Sequence, residues 1–201
     1  MSAHVAPIAN ETEGLAGFLA QQQDAFRSVA YGLSDAQAAS TPTISALSVG
    51  GLLKHTAEVQ EHWLQLVLAA PGRPVVEESD ADKTAEHLDT FRFRETDSLE
   101  IALKTYDDVS ARVLDAVRTV DLGVAVPVPE APWFPKDIEA WSARWVWLHL
   151  IEELSRHAGH ADIIREGIDG ATMYELVAGR EGWPETPWLK PWQPKQAPTL
   201  R

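Results

Sequence analysis

The chain of 201 residues is predicted to be all-α: a four-helix bundle with a Pro/Trp-rich C-terminal extension. Three observations lead there. Apolar residues recur at three- and four-residue spacing over four long segments. Capping signals open those segments, and glycine or proline closes them. No strand-rich region and no internal repeat is present. Four long helices joined by connections of mixed length are the pattern of a helical bundle.

The first helix starts near Asn10, which has capping-box spacing with Glu13. Leu15, Phe18, Leu19, Phe26 and Val29 form its stripe, and Tyr31-Gly32 ends it. Ser34 and Gln37 repeat the capping spacing for a short helical turn. The second long helix follows Ser48, with Leu52, Val59, Trp63, Leu66 and Val67 in its stripe, and stops at Pro71-Gly72. The acidic stretch Glu77 to Asp82 reads as an exposed loop or a helix start. The third helix follows Asp97, with Glu100 three residues on, and carries Leu99, Leu103, Tyr106, Val109, Val113 and Val117. The prolines between Val124 and Pro135 forbid a long helix and leave room for a short extended segment. The fourth helix starts between Asp137 and Ser142 and stops at Asp169-Gly170, where glycine suits a left-handed cap. A helical turn over Thr172 to Ala178 follows. Residues 1–180 are thus expected to form the bundle. Residues 181–201 are expected to be a tail, packed on the bundle or on a partner subunit through Trp183, Trp188 and Trp192.

Composition excludes several functions. There is no cysteine, so disulfides, zinc ribbons and a cysteine nucleophile are ruled out. Any thiol chemistry must borrow its thiol from a small molecule. A net charge of -13 with no Lys/Arg run argues against a nucleic-acid partner. No apolar run of about 18 residues suits a membrane span, and the N-terminus lacks the pattern of a signal peptide. A cytoplasmic location is the expectation.

The chemistry concentrates in HLIEELSRHAGHADII, residues 149–164, which holds three of the seven histidines. His149, Glu153 and His157 step by four, and His160 is three further on, so all four fall in one narrow stripe. That stripe borders the apolar one made by Leu150, Ile151, Leu154, Ala158 and Ala161. Two such side chains one turn apart can share a metal ion, whereas the whole row spans too far; a subset binds, or the rest support it. Gly159 would leave space beside His157 and His160 at a cost in helix stability. On the second helix, His55 and His62 lie on the line of Leu52, Val59 and Leu66. One histidine from there and a Glu/His pair from the last long helix would make a three-ligand site with open positions, as catalytic metal sites have.

Plainer readings stand beside this one. Taken singly, His62, His149 and His160 read as hydrogen-bonded boundary residues, and E-x-x-x-H also occurs in structural polar clusters. Glu152 and Arg156 are spaced as a surface ion pair. Asp162, Arg165 and Glu166 read as a solvated face. His4 and His87 have no partner pattern.

The blocks LLKHTAEVQEHW and WVWLHLIEELSRHAGHADIIREGIDG, about 90 residues apart, resemble the DinB/YfiT-like superfamily. They are most similar to its branch of small proteins related to mycothiol-dependent enzymes. The resemblance covers roughly residues 10 to 175. It implies a four-helix bundle with a divalent metal between helices. The ligands it implies are His55, Glu153 and His157, with glutamate where many relatives have a first histidine, as in mycothiol-dependent maleylpyruvate isomerases. It places His160 where a polar side chain supports the site or faces substrate, and His160 is the candidate catalytic residue. Oxygen plus nitrogen ligation suits zinc first, and also nickel, manganese or iron.

The implied function is a metal-dependent thiol S-transferase or isomerase, in which the metal activates the thiolate of mycothiol or a similar small thiol toward a small-molecule electrophile. The alternatives are a metal-dependent hydrolase using metal-bound hydroxide, with Glu58, Glu152 or His160 as proton shuttle, and a non-catalytic metal-binding bundle. A homodimer is compatible with the Trp-rich tail.

Overall fold

The long helices form where the caps and apolar spacing place them. A computed structural model of the protein describes residues 4–74, 83–131 and 133–194. Its elements are α1 (Glu11–Ala30), α2 (Asp35–Ala39), α3 (Val49–Ala69), α4 (Lys83–Thr90), α5 (Leu99–Thr119), β1 (Ala125–Pro127), β2 (Ala140–Ser142), α6 (Ala143–Asp169) and α7 (Met173–Glu181). The side chain of Asn10 accepts from the Glu13 amide to start α1. Ser34 and Gln37 make the reciprocal capping box of α2. Ser48 and Ser142 cap α3 and α6. Gly170 closes α6 with φ of 79°, a left-handed conformation in which glycine meets no side-chain penalty. Among the described residues, no helix is long and apolar enough to cross a membrane.

The long helices pack as a core bundle. α1 and α3 each lie against both α5 and α6, so α3 and α6 are direct neighbours. Leu19, Phe26, Leu52, Leu53, Leu64, Val113, Trp147, Leu150 and Leu154 fill the interior. Full burial of side chains this size stabilises by about 1.5–3 kcal/mol each before entropy is counted. One polar pair crosses the core: Gln23 Nε2 on α1 donates to Gln60 Oε1 on α3 at 2.8 Å. Pairing cancels the cost of burying two amides and fixes the register of the helices.

Several expectations need correction. α4 and β2 join the expected elements, and β2 pairs antiparallel with β1, the short extended segment expected among the prolines, with Val126 opposite Trp141. Asp97 does not cap α5. Ser98 takes that position without a side-chain bond, the Leu99 amide donates to Asp35 Oδ1 at 2.8 Å, and Asp97 instead accepts from Lys54 and the Arg94 amide. α7 starts at the Thr172–Glu175 capping box and runs on to Glu181, where Gly182 closes it in a left-handed conformation. The acidic stretch 77–82 lies outside the described residues.

Arg165 is not on a solvated face. It is fully buried, pairs with both carboxylate oxygens of Asp169 at 3.1 and 3.0 Å, and donates to the carbonyls of Val29 and Tyr31. Trp192 covers its guanidinium at 4.6 Å. The same indole lies edge-on to Tyr31 and against Gly32, and the Trp192 amide donates to the carbonyl of Glu175. Trp188 is 75% exposed.

Candidate metal centre

α3 and α6 run side by side, which brings residues 98 positions apart into contact. His55 Nε2 is 3.4 Å from Glu153 Oε1, and His157 Nε2 is 3.1 Å from the same oxygen. One ligand atom from each of the three lies within 4.8 Å of the others. Two ligands on a tetrahedral zinc at about 2.0–2.1 Å stand roughly 3.4 Å apart. The spacing and the donor set, two imidazoles and one carboxylate, therefore fit a small divalent cation.

The surroundings differ from ligand to ligand. His55 is 1% exposed, whereas Glu153 keeps 21% of its side chain in contact with solvent, so the cluster opens on the α6 side. Phe91, just after α4, stacks on the His55 ring at 3.8 Å and 20°. Thr90 Oγ1 is 2.8 Å from His55 Nδ1, the nitrogen facing away from Glu153. Hydrogen bonds from His157 first, then His55, hold the Glu153 carboxyl well below the usual carboxylate range. An ionised Glu153 supplies the negative charge that a cation requires.

His160 is exposed, with Nδ1 3.5 Å from Nδ1 of His157. It adjoins the cluster through His157 and is not one of the three converging residues. His149 stands apart from the cluster: its ring stacks on Trp145 at 5.1 Å, which stacks on Trp141 at 3.9 Å, with Trp63 edge-on. His62, Glu58 and Glu152 are exposed. Glu152 pairs with Arg156 as expected, at 3.0 Å. Gly159 is exposed, and a Cβ there would meet nothing within 4 Å, so the space it leaves serves neither neighbouring histidine.

Thr90 and Phe91 carry no signal in the sequence. Thr90 ends a helix of eight residues and Phe91 directly follows it, and neither belongs to a metal-ligand motif. A cavity of about 660 Å³ is lined by Lys54, Glu58, Asp89, Thr90, Arg92 and Arg94 among others.

An all-α bundle with a His/Glu/His cluster between α3 and α6 agrees with the DinB/YfiT-like class that the sequence resembles. The family model described as Mycothiol-S-transferase matches residues 14–170, and the chain belongs to that family. Among solved structures, it is similar to the crystal structure of "the conserved protein of locus from Enterococcus faecalis". The two share 16% identity and a TM-score of 0.55 over 82% of this chain and 100% of that one, a likeness of fold alone. No curated protein matches the chain.

Proposed function

We propose that the protein is a metal-dependent enzyme that uses a low-molecular-weight thiol of the mycothiol class, as an S-transferase or isomerase acting on a small electrophile. His55, Glu153 and His157 would hold the divalent cation, zinc first among zinc, nickel, manganese and iron. The convergence of these three side chains between two helices carries the reading, and family membership supports it.

A divalent cation held there supplies positive charge that lowers a thiol's pKa and keeps it as the nucleophilic thiolate at neutral pH. The protein's own groups do the rest. Glu153 cancels part of the cation's charge, and buried His55 fixes the site on the bundle. Phe91 covers the His55 ring and keeps water from that side. The solvent-facing edge beside Glu153 and His157 is the approach for thiol and electrophile. His160, exposed at that edge, is the group we assign to carry the thiol's proton away. The absence of cysteine fits a thiol brought in from outside.

Elemental analysis of untagged protein tests the reading, followed by turnover assays with and without added thiol. About one divalent ion per chain, lost in His157→Ala, and turnover of an electrophile only with thiol present are expected. Thiol-independent hydrolysis would point to the hydrolase instead. Metal bound with no thiol uptake under any condition would falsify the transferase assignment.

A further inference from the structure

The segment after α4 does more than cover His55. We propose that Thr90 is a positioning residue of the metal centre: its hydroxyl holds Nδ1 of His55, so that Nε2 faces Glu153 and His157. The inference rests on the metal-centre reading above and extends it to a residue outside the ligand set.

The geometry is specific. Thr90 Oγ1 lies 2.8 Å from Nδ1, while Nε2, across the ring, is the nitrogen directed at Glu153. An imidazole that gives the lone pair of Nε2 to a cation must carry its proton on Nδ1. At a position 1% exposed, that proton needs a partner within the protein. A threonine hydroxyl accepts from Nδ1–H when a cation is bound. It can also rotate and donate to Nδ1 when the proton sits on Nε2 beside Glu153. It thus serves the ring in both states. Phe91, stacked on the same ring, removes the freedom to tilt that a single hydrogen bond would leave.

What brings Thr90 there is equally specific. Gly50 and Gly51 open α3 one turn before His55. A Cβ on Gly51 would overlap the backbone carbonyl of Phe91, and one on Gly50 would run into the ring of Phe93. The pair forms a seat without side chains on which residues 91–93 lie flush. Lys54 Nζ, which donates to the Arg92 carbonyl at 3.0 Å and to Asp97, fastens the segment at its outer edge. α3 therefore carries both the histidine and the seat for the residue that aims it.

The test uses the full chain, with Thr90→Val and Thr90→Ser beside the wild type. Zinc alone is titrated in competition with a chromophoric chelator. His55 ring nitrogens are followed by NMR in the metal-free protein. Thr90→Val should bind zinc about 10–100-fold more weakly, the usual effect of removing a histidine ligand's outer partner. Thr90→Ser, which keeps the hydroxyl, should retain most of the affinity. The His55 ring nitrogen signals should move and broaden in Thr90→Val even without metal. A wild type that binds no zinc would sink the metal-centre reading. Unchanged His55 signals in Thr90→Val, or zinc affinity equal to wild type, would overturn the positioning role.

Discussion

Oε1 of Glu153 stands between two imidazoles, 3.1 Å from Nε2 of His157 on its own helix and 3.4 Å from Nε2 of His55 on α3. One oxygen thus joins a local contact, which the i, i+4 spacing dictates, to a long-range one, which only helix packing can make. A cation that needs all three side chains would bind the native state in preference to the unfolded chain. It must therefore stabilise the fold, by about 2.7 kcal/mol at a free metal concentration about 100 times Kd. Thermal melts with added zinc should rise, and a chelator should reverse the rise. Glu153→Gln keeps the volume of the side chain but removes its charge, and it should abolish most of the shift. An equal rise in the variant would show that zinc binds elsewhere.

The docking of residues 91–93 on α3 separates two glycines that look alike in the sequence. Gly51→Ala forces a methyl into the Phe91 carbonyl, so the segment must move and take Thr90 with it. We expect a loss of about 1–3 kcal/mol, typical of overpacking, together with weaker metal binding. Gly159 sits on the exposed face of α6, where a Cβ would find nothing within 4 Å. Gly159→Ala should therefore raise stability by up to about 1 kcal/mol and leave metal affinity unchanged. Denaturant midpoints and a zinc titration on both variants check the contrast.

Much of this is legible in the chain because it is local. Helix starts follow from side chains three residues apart, as at Asn10 and Ser34, and the stripe of Glu153, His157 and His160 follows from helical period. The pairing of His55 with that stripe comes from the family resemblance, since two histidines on α3, His55 and His62, share one line. Packing separates them: His55 turns into the bundle and His62 stays exposed. Thr90 is out of reach, because its value lies in a contact 35 residues away made through a glycine seat. Arg165 misleads for the same reason. Asp169, four residues on, is a local partner, but what draws the side chain inside is distant: the C-terminal carbonyls of α1 and the ring of Trp192.

That buried arginine makes a sharp prediction. Its guanidinium meets a bidentate carboxylate and two carbonyls, an arrangement lysine cannot reproduce with a single ammonium. Arg165→Met leaves Asp169 with its charge uncompensated and should cost about 3–5 kcal/mol. Arg165→Lys should lose part of that. Urea midpoints at one pH, with the double variant Arg165→Met/Asp169→Leu as a further comparison, would show whether the loss comes from the stranded carboxylate. If it does, the double variant recovers stability relative to the single one.

Asp162 provides a pH test away from the three clustered side chains. Burial first, and the charge of Glu166 second, push its carboxyl up to about 6. Its pKa in the unfolded chain is close to about 3.9. Between those two values the folded state binds the extra proton, so stability falls as pH rises from about 4 to about 6 and is level above. The group is only half-buried, and solvent screening leaves an effect of about 1 kcal/mol. Asp162→Asn should therefore be more stable than wild type at pH 8, and the advantage should shrink as pH falls toward 4. Urea unfolding of both proteins at pH 4.5, 6 and 8 measures this. A constant difference across the series would mean that Asp162 ionises in the fold as it does in the unfolded chain.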